Sequence, residues 1–149
     1  MNLSLKTDYS LRLLLFLATH KGEIIPVARI ASAFRISANH LTKVSQSLAK
    51  IHLLEMVRGR SGGVRLAVDP ASIGLAHVIR QIEGSLTLVE CFDQKTNTCV
   101  ISPVCSLKPI LREARDAFFA VLEKYTLADL LGNGPLLREI LSRTKQTDV

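Results

Sequence analysis

Residues 53–67 read LLEMVRGRSGGVRLA. Two short aliphatic stretches, 53–57 and 63–67, flank a break made of arginine, serine and glycine. That pattern predicts an antiparallel hairpin with a basic, glycine-rich tip, Arg58-Gly59-Arg60-Ser61-Gly62-Gly63. Glycine permits close approach to a sugar–phosphate wall, and Arg58 or Arg60 is long enough to enter a narrow minor groove. An ordinary exposed hairpin would carry the same signal. A nucleotide-phosphate loop would need Lys-Ser/Thr after the glycines, and none follows.

The segments before the hairpin raise the odds of a wing. Residues 3–20 are rich in leucine and free of glycine and proline, predicting a mostly buried helix opened by Ser4 or Thr7 and closed at Lys21-Gly22. Pro26 suits the first turn of a second helix through Val27, Ile30, Ala31 and Phe34. Arg35-Ile36-Ser37 makes a tight turn, with Ser37 or Asn39 as the cap of a third helix. That helix sets Leu41, Val44, Leu48 and Ile51 inward and Asn39, His40, Thr42, Lys43, Ser45 and Gln46 outward. Two short helices about a tight turn, the second with a hydrogen-bonding outer face, followed by a basic hairpin, spell a winged helix-turn-helix.

Charge agrees with this placement. The chain has 149 residues and a net charge of +6. Between positions 29 and 68 stand seven basic residues (Arg29, Arg35, Lys43, Lys50, Arg58, Arg60 and Arg65) against one acid, Glu55. One quarter of the chain therefore carries a charge equal to the whole net value, the footprint expected of phosphate contact, although a solvated basic face would look alike. With 48% hydrophobic residues a packed core is within reach, built from aliphatic side chains because tryptophan is absent. The longest purely apolar run, 13–18, is far shorter than the ~20 residues of a membrane span. No small-residue cleavage site follows the N-terminus, so a cytoplasmic location with no membrane partner is expected. No Ser-His-Asp pattern, paired-acid motif or nucleotide loop supports an enzyme, and His20, His40, His52 and His77 are scattered.

Downstream, residues 73–83 predict a fourth helix ended by Gly84. Residues 107–125 predict a long amphipathic helix with Leu107, Ile110, Leu111, Ala114, Phe118, Val121, Leu122 and Tyr125 on one face. Such a face serves either a dimer seam or packing within the chain. A short helix at 127–131 and a partly helical, then frayed, end complete the chain. Between the fourth and the long helix lie all three cysteines, Cys91, Cys99 and Cys105, in the aperiodic stretch ECFDQKTNTCVISPVC. Gaps of seven and five residues disfavour structural zinc, whose pairs stand two to four apart. A reducing compartment and the odd number disfavour disulfides. A redox thiol with a resolving partner and an iron–sulfur cluster both remain, the cluster needing a fourth ligand from elsewhere, such as another subunit.

Several stretches, LKTDYSLRLLLFLA, VRGRSGGVRLA, IRQIEG, TLVECF and NTCVISPVCSLKPIL, resemble the iron–sulfur winged-helix transcriptional repressor family of the IscR/NsrR type over about residues 1–130. The loop is most similar to its nitric-oxide-sensing NsrR branch. The resemblance implies a repressor, mainly α with a small β-hairpin wing, acting as a homodimer on a palindromic double-stranded operator. It implies a 4Fe–4S or 2Fe–2S cluster on Cys91, Cys99 and Cys105. IscR-type members carry a histidine three residues after the last cysteine; here Lys108 stands there, and Asp8 of the partner subunit is the matching NsrR-type ligand. Nitric oxide is the implied signal: it would remodel the cluster, loosen the link to Asp8 and release DNA. A response to redox state or cluster supply, or a cluster-free thiol switch, are the alternatives. The candidate DNA contacts are Arg35, Ser37, Asn39, His40, Thr42, Lys43, Arg58, Gly59 and Arg60. The expected organisation is a DNA-binding unit at 1–84, a cysteine loop at 85–106, a dimerisation helix at 107–125, and a short helix and tail at 126–149.

Overall fold

A computed structural model describes residues 3–84 and 86–143; the tail expected at 144–149 and Ser85 lie outside the described residues. Ser4 caps α1 (Leu5–Thr19) by accepting from the Thr7 backbone N–H. Leu13, Leu14, Phe16 and Leu17 of α1 are all buried. A helix apolar on nearly every side has to be enclosed. It is: α2 (Val27–Phe34), α3 (Ala38–Lys50), α4 (Leu75–Glu83) and α6 (Gly134–Arg143) all pack against it. Among the described residues no helix is long and apolar enough to cross a membrane.

Pro26 takes the N-cap position of α2 rather than its first turn, and the helix ends on Arg35, which is left-handed (φ 54°). Ser37 takes the N-cap position of α3, but its side chain makes no capping bond. Leu41, Val44 and Leu48 enter the core. Ser45, expected to face outward, is fully buried, its Oγ donating to the Leu41 carbonyl at 2.8 Å. A hydroxyl satisfied by its own helix is cheap to bury, so a small polar residue does not mark the solvent face.

The wing forms as expected. β1 (Leu54–Val57) and β2 (Gly63–Leu66) pair antiparallel, with Leu54 opposite Leu66 and Val57 opposite Gly63. One further bridge joins Val64 to Ile25 through two 2.9 Å backbone hydrogen bonds. That bridge explains Gly63: a Cβ there would run into the Ile25 carbonyl, so this glycine serves the protein's own backbone rather than DNA.

α4 begins at Leu75, not at residue 73. Ile73 and Gly74 are extended because they pair with the chain returning from α5 (Leu107–Leu122): the Leu127 N–H donates to Ile73 and the Leu75 N–H to Tyr125. The same pairing ends α5 at Leu122, three residues short of the expected end, and makes 128–131 a 3₁₀ turn. Leu127 and Leu141 belong to the same core as α1, so the segment after α5 returns to the core of the N-terminal helices. On α5, Phe119 (6% exposed) is the residue that packs against Ala76 and Ile79 of α4, joined by Phe118 and Leu122. Leu107, Ile110 and Val121, on the expected apolar face, stay 56, 60 and 54% exposed.

Substituting Gly63→Ala is expected to cost about 1–3 kcal/mol in urea unfolding, the range for overpacking. Gly132→Ala, where an added Cβ meets nothing within 4 Å, should leave the midpoint nearly unchanged. Equal midpoints for the two variants would contradict the Ile25–Gly63 contact.

Candidate DNA-reading surface and cysteine loop

The turn at Arg35 and the start of α3 present a polar surface. Arg35, Ser37, Asn39, His40 and Lys43 are exposed, and Thr42 is half-buried. Thr42 Oγ1 donates to the Ala38 carbonyl at 2.8 Å, so its hydroxyl is already engaged by its own helix. At the wing, Gly59 adopts φ 109°, open only to glycine without strain, and the Gly62 N–H closes the turn onto its carbonyl. Arg58 and Arg60 beside it are exposed. Glu55, the one acid of this basic quarter, is spent on Arg65 across the hairpin at 2.8 Å. Arg58, Arg60 and Lys43 form no ion pair among the described residues. Their charge therefore remains available to an anionic partner.

The cysteine segment is a loop of turns with one short 3₁₀ turn at Glu90–Phe92. Its shape comes from internal hydrogen bonds. Thr98 Oγ1 donates to both carboxylate oxygens of Glu90 at 3.3 Å, closing the segment between the residues that precede Cys91 and Cys99. The Cys99 N–H donates to Asn97 Oδ1, and Asp93 accepts from the Lys95 N–H and the Thr96 hydroxyl. Two ties reach α5: Arg115 lies 5.1 Å over the Phe92 ring, and Lys108 Nζ donates to Ser102 Oγ at 3.2 Å. All three cysteines are free and half-buried. Among the described residues, no group of three or more His, Cys, Asp or Glu side chains converges on a metal-sized position. The chain thus supplies three thiol donors without assembling them into a cage among the described residues.

Asp8 sits one turn into α1, its carboxylate gripped by Arg12 at 2.7 and 3.0 Å. The start of that helix is tied to the end of α4: the Ser4 N–H donates to Glu83 Oε1 at 2.7 Å. Burial pushes the Glu83 carboxyl up, but hydrogen bonds from Thr7 and Ser4, aided by the charge of Lys6, outweigh it and leave Glu83 below its ordinary range. In the same last turn of α4, Arg80 pairs with Glu123 at 2.7 Å and lies 4.4 Å over the Phe119 ring, holding α5 to α4. Pattern reading missed these ties. Each joins residues far apart in sequence, and no local signal marks Ser4 with Glu83 or Phe92 with Arg115.

Residues 3–133 match the family model described as Rrf2, iron-dependent transcriptional regulator. The chain belongs to the Rrf2 family. An HTH-type transcriptional regulator NsrR of Shouchella clausii is 49% identical over 142 residues, covering 95% of both chains. The NsrR regulator of Bacillus subtilis is 48% identical over 95% of this chain and 97% of its own. Among solved structures, IscR of T. potens superposes with a TM-score of 0.71 at 28% identity, over 89% of this chain and 88% of that one. The oxidized form of Staphylococcus aureus CymR gives 0.72 at 28%, over 89% and 97%. The chain is therefore an NsrR-type Rrf2 repressor, a winged-helix DNA-binding transcriptional regulator and not an enzyme. In this Rrf2 chain the basic hairpin is the wing and α3 is the second helix of the helix-turn-helix.

The Glu83 tie has a signed pH dependence. A carboxyl depressed in the folded state stabilises above its unfolded value, and that stabilisation disappears as pH falls through the folded value. Glu83→Gln should therefore lower stability at pH 7 by about 0.5–1 kcal/mol, the low end for a partly solvated hydrogen-bonded charge. Urea titrations should show the gap between variant and wild type closing as the carboxyl protonates. A gap independent of pH would refute the tie.

Proposed function

We propose that the chain is a homodimeric, cytoplasmic repressor that senses nitric oxide through an iron–sulfur cluster held by Cys91, Cys99 and Cys105, with Asp8 of the partner subunit as fourth ligand. The observation that carries this is the loop itself: three free, half-buried thiols on one segment braced to α5, in a chain of NsrR type. Three thiols with a carboxylate suit the cluster in kind. A bound cluster supplies thiolate-ligated iron, the target that nitric oxide attacks. The fourth ligand has to come from outside the loop, which makes the site a link between subunits.

The chain's own residues set what that link does. The carboxylate of Asp8 is the weakest donor of the four and has an alternative partner one turn away in Arg12. Release of Asp8 would therefore leave its charge paired with Arg12. The exposed stripe Leu107, Ile110 and Val121 of α5, with Val100 and Val104 of the loop 92 and 83% exposed, forms the dimer seam. The loop lies between the DNA-binding unit at 1–84 and the dimerisation helix, so its link to Asp8 of the partner subunit would set the angle between the two wings.

On DNA, two α3 helices enter successive major grooves about 34–36 Å apart on a palindromic operator. Asn39 and His40 lie where base edges are reachable, and the Thr42 methyl suits a thymine methyl. Arg35, Ser37 and Lys43 face phosphates. Arg58 and Arg60 reach the minor groove beside Gly59, favouring A/T-rich flanks. A change in wing angle that removes about 3–4 kcal/mol of the specific advantage empties most operators.

The test uses protein purified without oxygen: a visible spectrum with iron and sulfide assays, then nitric oxide titration while binding to DNA selected from a random pool is followed. A brown protein that bleaches and releases DNA stoichiometrically supports the proposal. A brown protein that responds to oxygen or reductant with no special potency of nitric oxide assigns the fold to redox or cluster-supply sensing. A colourless protein, even after reconstitution, that loses affinity with peroxide leaves a thiol switch. Cys99→Ala should lose both colour and response. Ile110→Asp should sediment as a monomer and bind the palindrome at least tenfold more weakly, whereas Phe119→Ala should lower stability by about 3–5 kcal/mol through its packing on α4.

A further inference from the structure

A groove of about 390 Å³ opens between the first turns of α1 and the flank of α3. Its lining combines apolar Leu5, Tyr9 and Val44 with cationic Lys6 from α1 and Lys43 from α3. His40 adjoins Lys43 on the same flank, so the groove is continuous with the proposed DNA-reading face. No acidic side chain lines it. Leu5 is 67% exposed there, and Lys6 makes no ion pair within 4 Å among the described residues, although its charge is felt by Glu83. A lysine in the first turn of a helix opposes the macrodipole, so helix stability does not account for it.

We infer that this groove is a second DNA contact, which takes a sugar–phosphate segment of the major-groove wall with Lys6 as its phosphate anchor. The inference rests on the proposed placement of α3 in the major groove. A helix lying in that groove has a phosphodiester wall along each flank. One flank of α3 faces the first turns of α1. The chemistry matches that of a backbone: Lys6 and Lys43 meet phosphate oxygens, and Leu5, Tyr9 and Val44 meet the C–H faces of deoxyribose. Such a contact positions the protein without reading sequence. The same turn of α1 carries Asp8, so the groove and the proposed intersubunit link move as one body.

The experiment measures affinity of the full-length protein for selected and for random duplex DNA across a salt series, with Lys6→Ala, Lys6→Arg and Lys43→Ala. Each phosphate contact contributes about 0.9 to the slope of log affinity against log salt. Lys6→Ala should weaken both DNAs equally, by about three- to tenfold, and reduce the slope by about 1, while Lys6→Arg keeps both values. If Lys43→Ala flattens the slope and Lys6→Ala does not, the groove contact is overturned and the recognition helix stands. If neither changes, both fail. An unchanged slope with an altered oligomeric state for Lys6→Ala would assign the groove to a second copy and also overturn the DNA contact.

Discussion

The enclosure of α1 is the constraint on which the rest depends. Leu13, Leu14, Phe16 and Leu17 bury most of this helix's circumference, leaving the Asp8–Arg12 side to water, so the chain has to wrap it. The helix-turn-helix covers one side, the wing approaches through the Ile25–Val64 bridge, α4 covers another side and α6 returns to close the last. Only the first turns emerge. They carry Lys6 and Asp8, and Ser4 fastens them to Glu83 at the end of α4. The group proposed to meet DNA and the group proposed to meet another subunit are thus mounted on one turn of the same enclosed helix.

The cysteine segment is built on the opposite principle. It contributes no buried hydrophobic residue to the main core, and polar ties at Glu90–Thr98, Phe92–Arg115 and Ser102–Lys108 hold it. Partly exposed ties of this kind are worth little each, so the loop is ordered cheaply and disordered cheaply. A segment of low local stability between a rigid DNA-binding unit and a long α5 suits a switch. Lys108, where IscR-type relatives of the resemblance carry a ligating histidine, serves here as one of the braces.

Much of the architecture was legible because local chemistry writes it. The hairpin is announced by glycines and arginines between aliphatic runs, and the capping position of Ser4 by its place before a leucine-rich helix. Boundaries set by distant partners were not legible. Ile73 and Gly74 look helical, and only their pairing with the chain around Thr126 makes them extended. The apolar stripe of α5 was visible as one face, whereas the structure divides the helix between Phe119, packed on α4, and an uncovered side at Leu107, Ile110 and Val121. The charge of the DNA-reading surface is readable because exposed arginines need no partner. The cysteines are visible as residues, yet among the described residues the chain does not gather them into one site.

Hydrogen exchange on the protein purified without oxygen, before and after nitric oxide, tests most directly whether the loop and the first turns of α1 form the proposed switch. Faster exchange in residues 86–106 and 4–9, with residues 27–66 unchanged, is the predicted result. Changes confined to residues 27–66, or none at all in a protein that has released its DNA, would contradict the account.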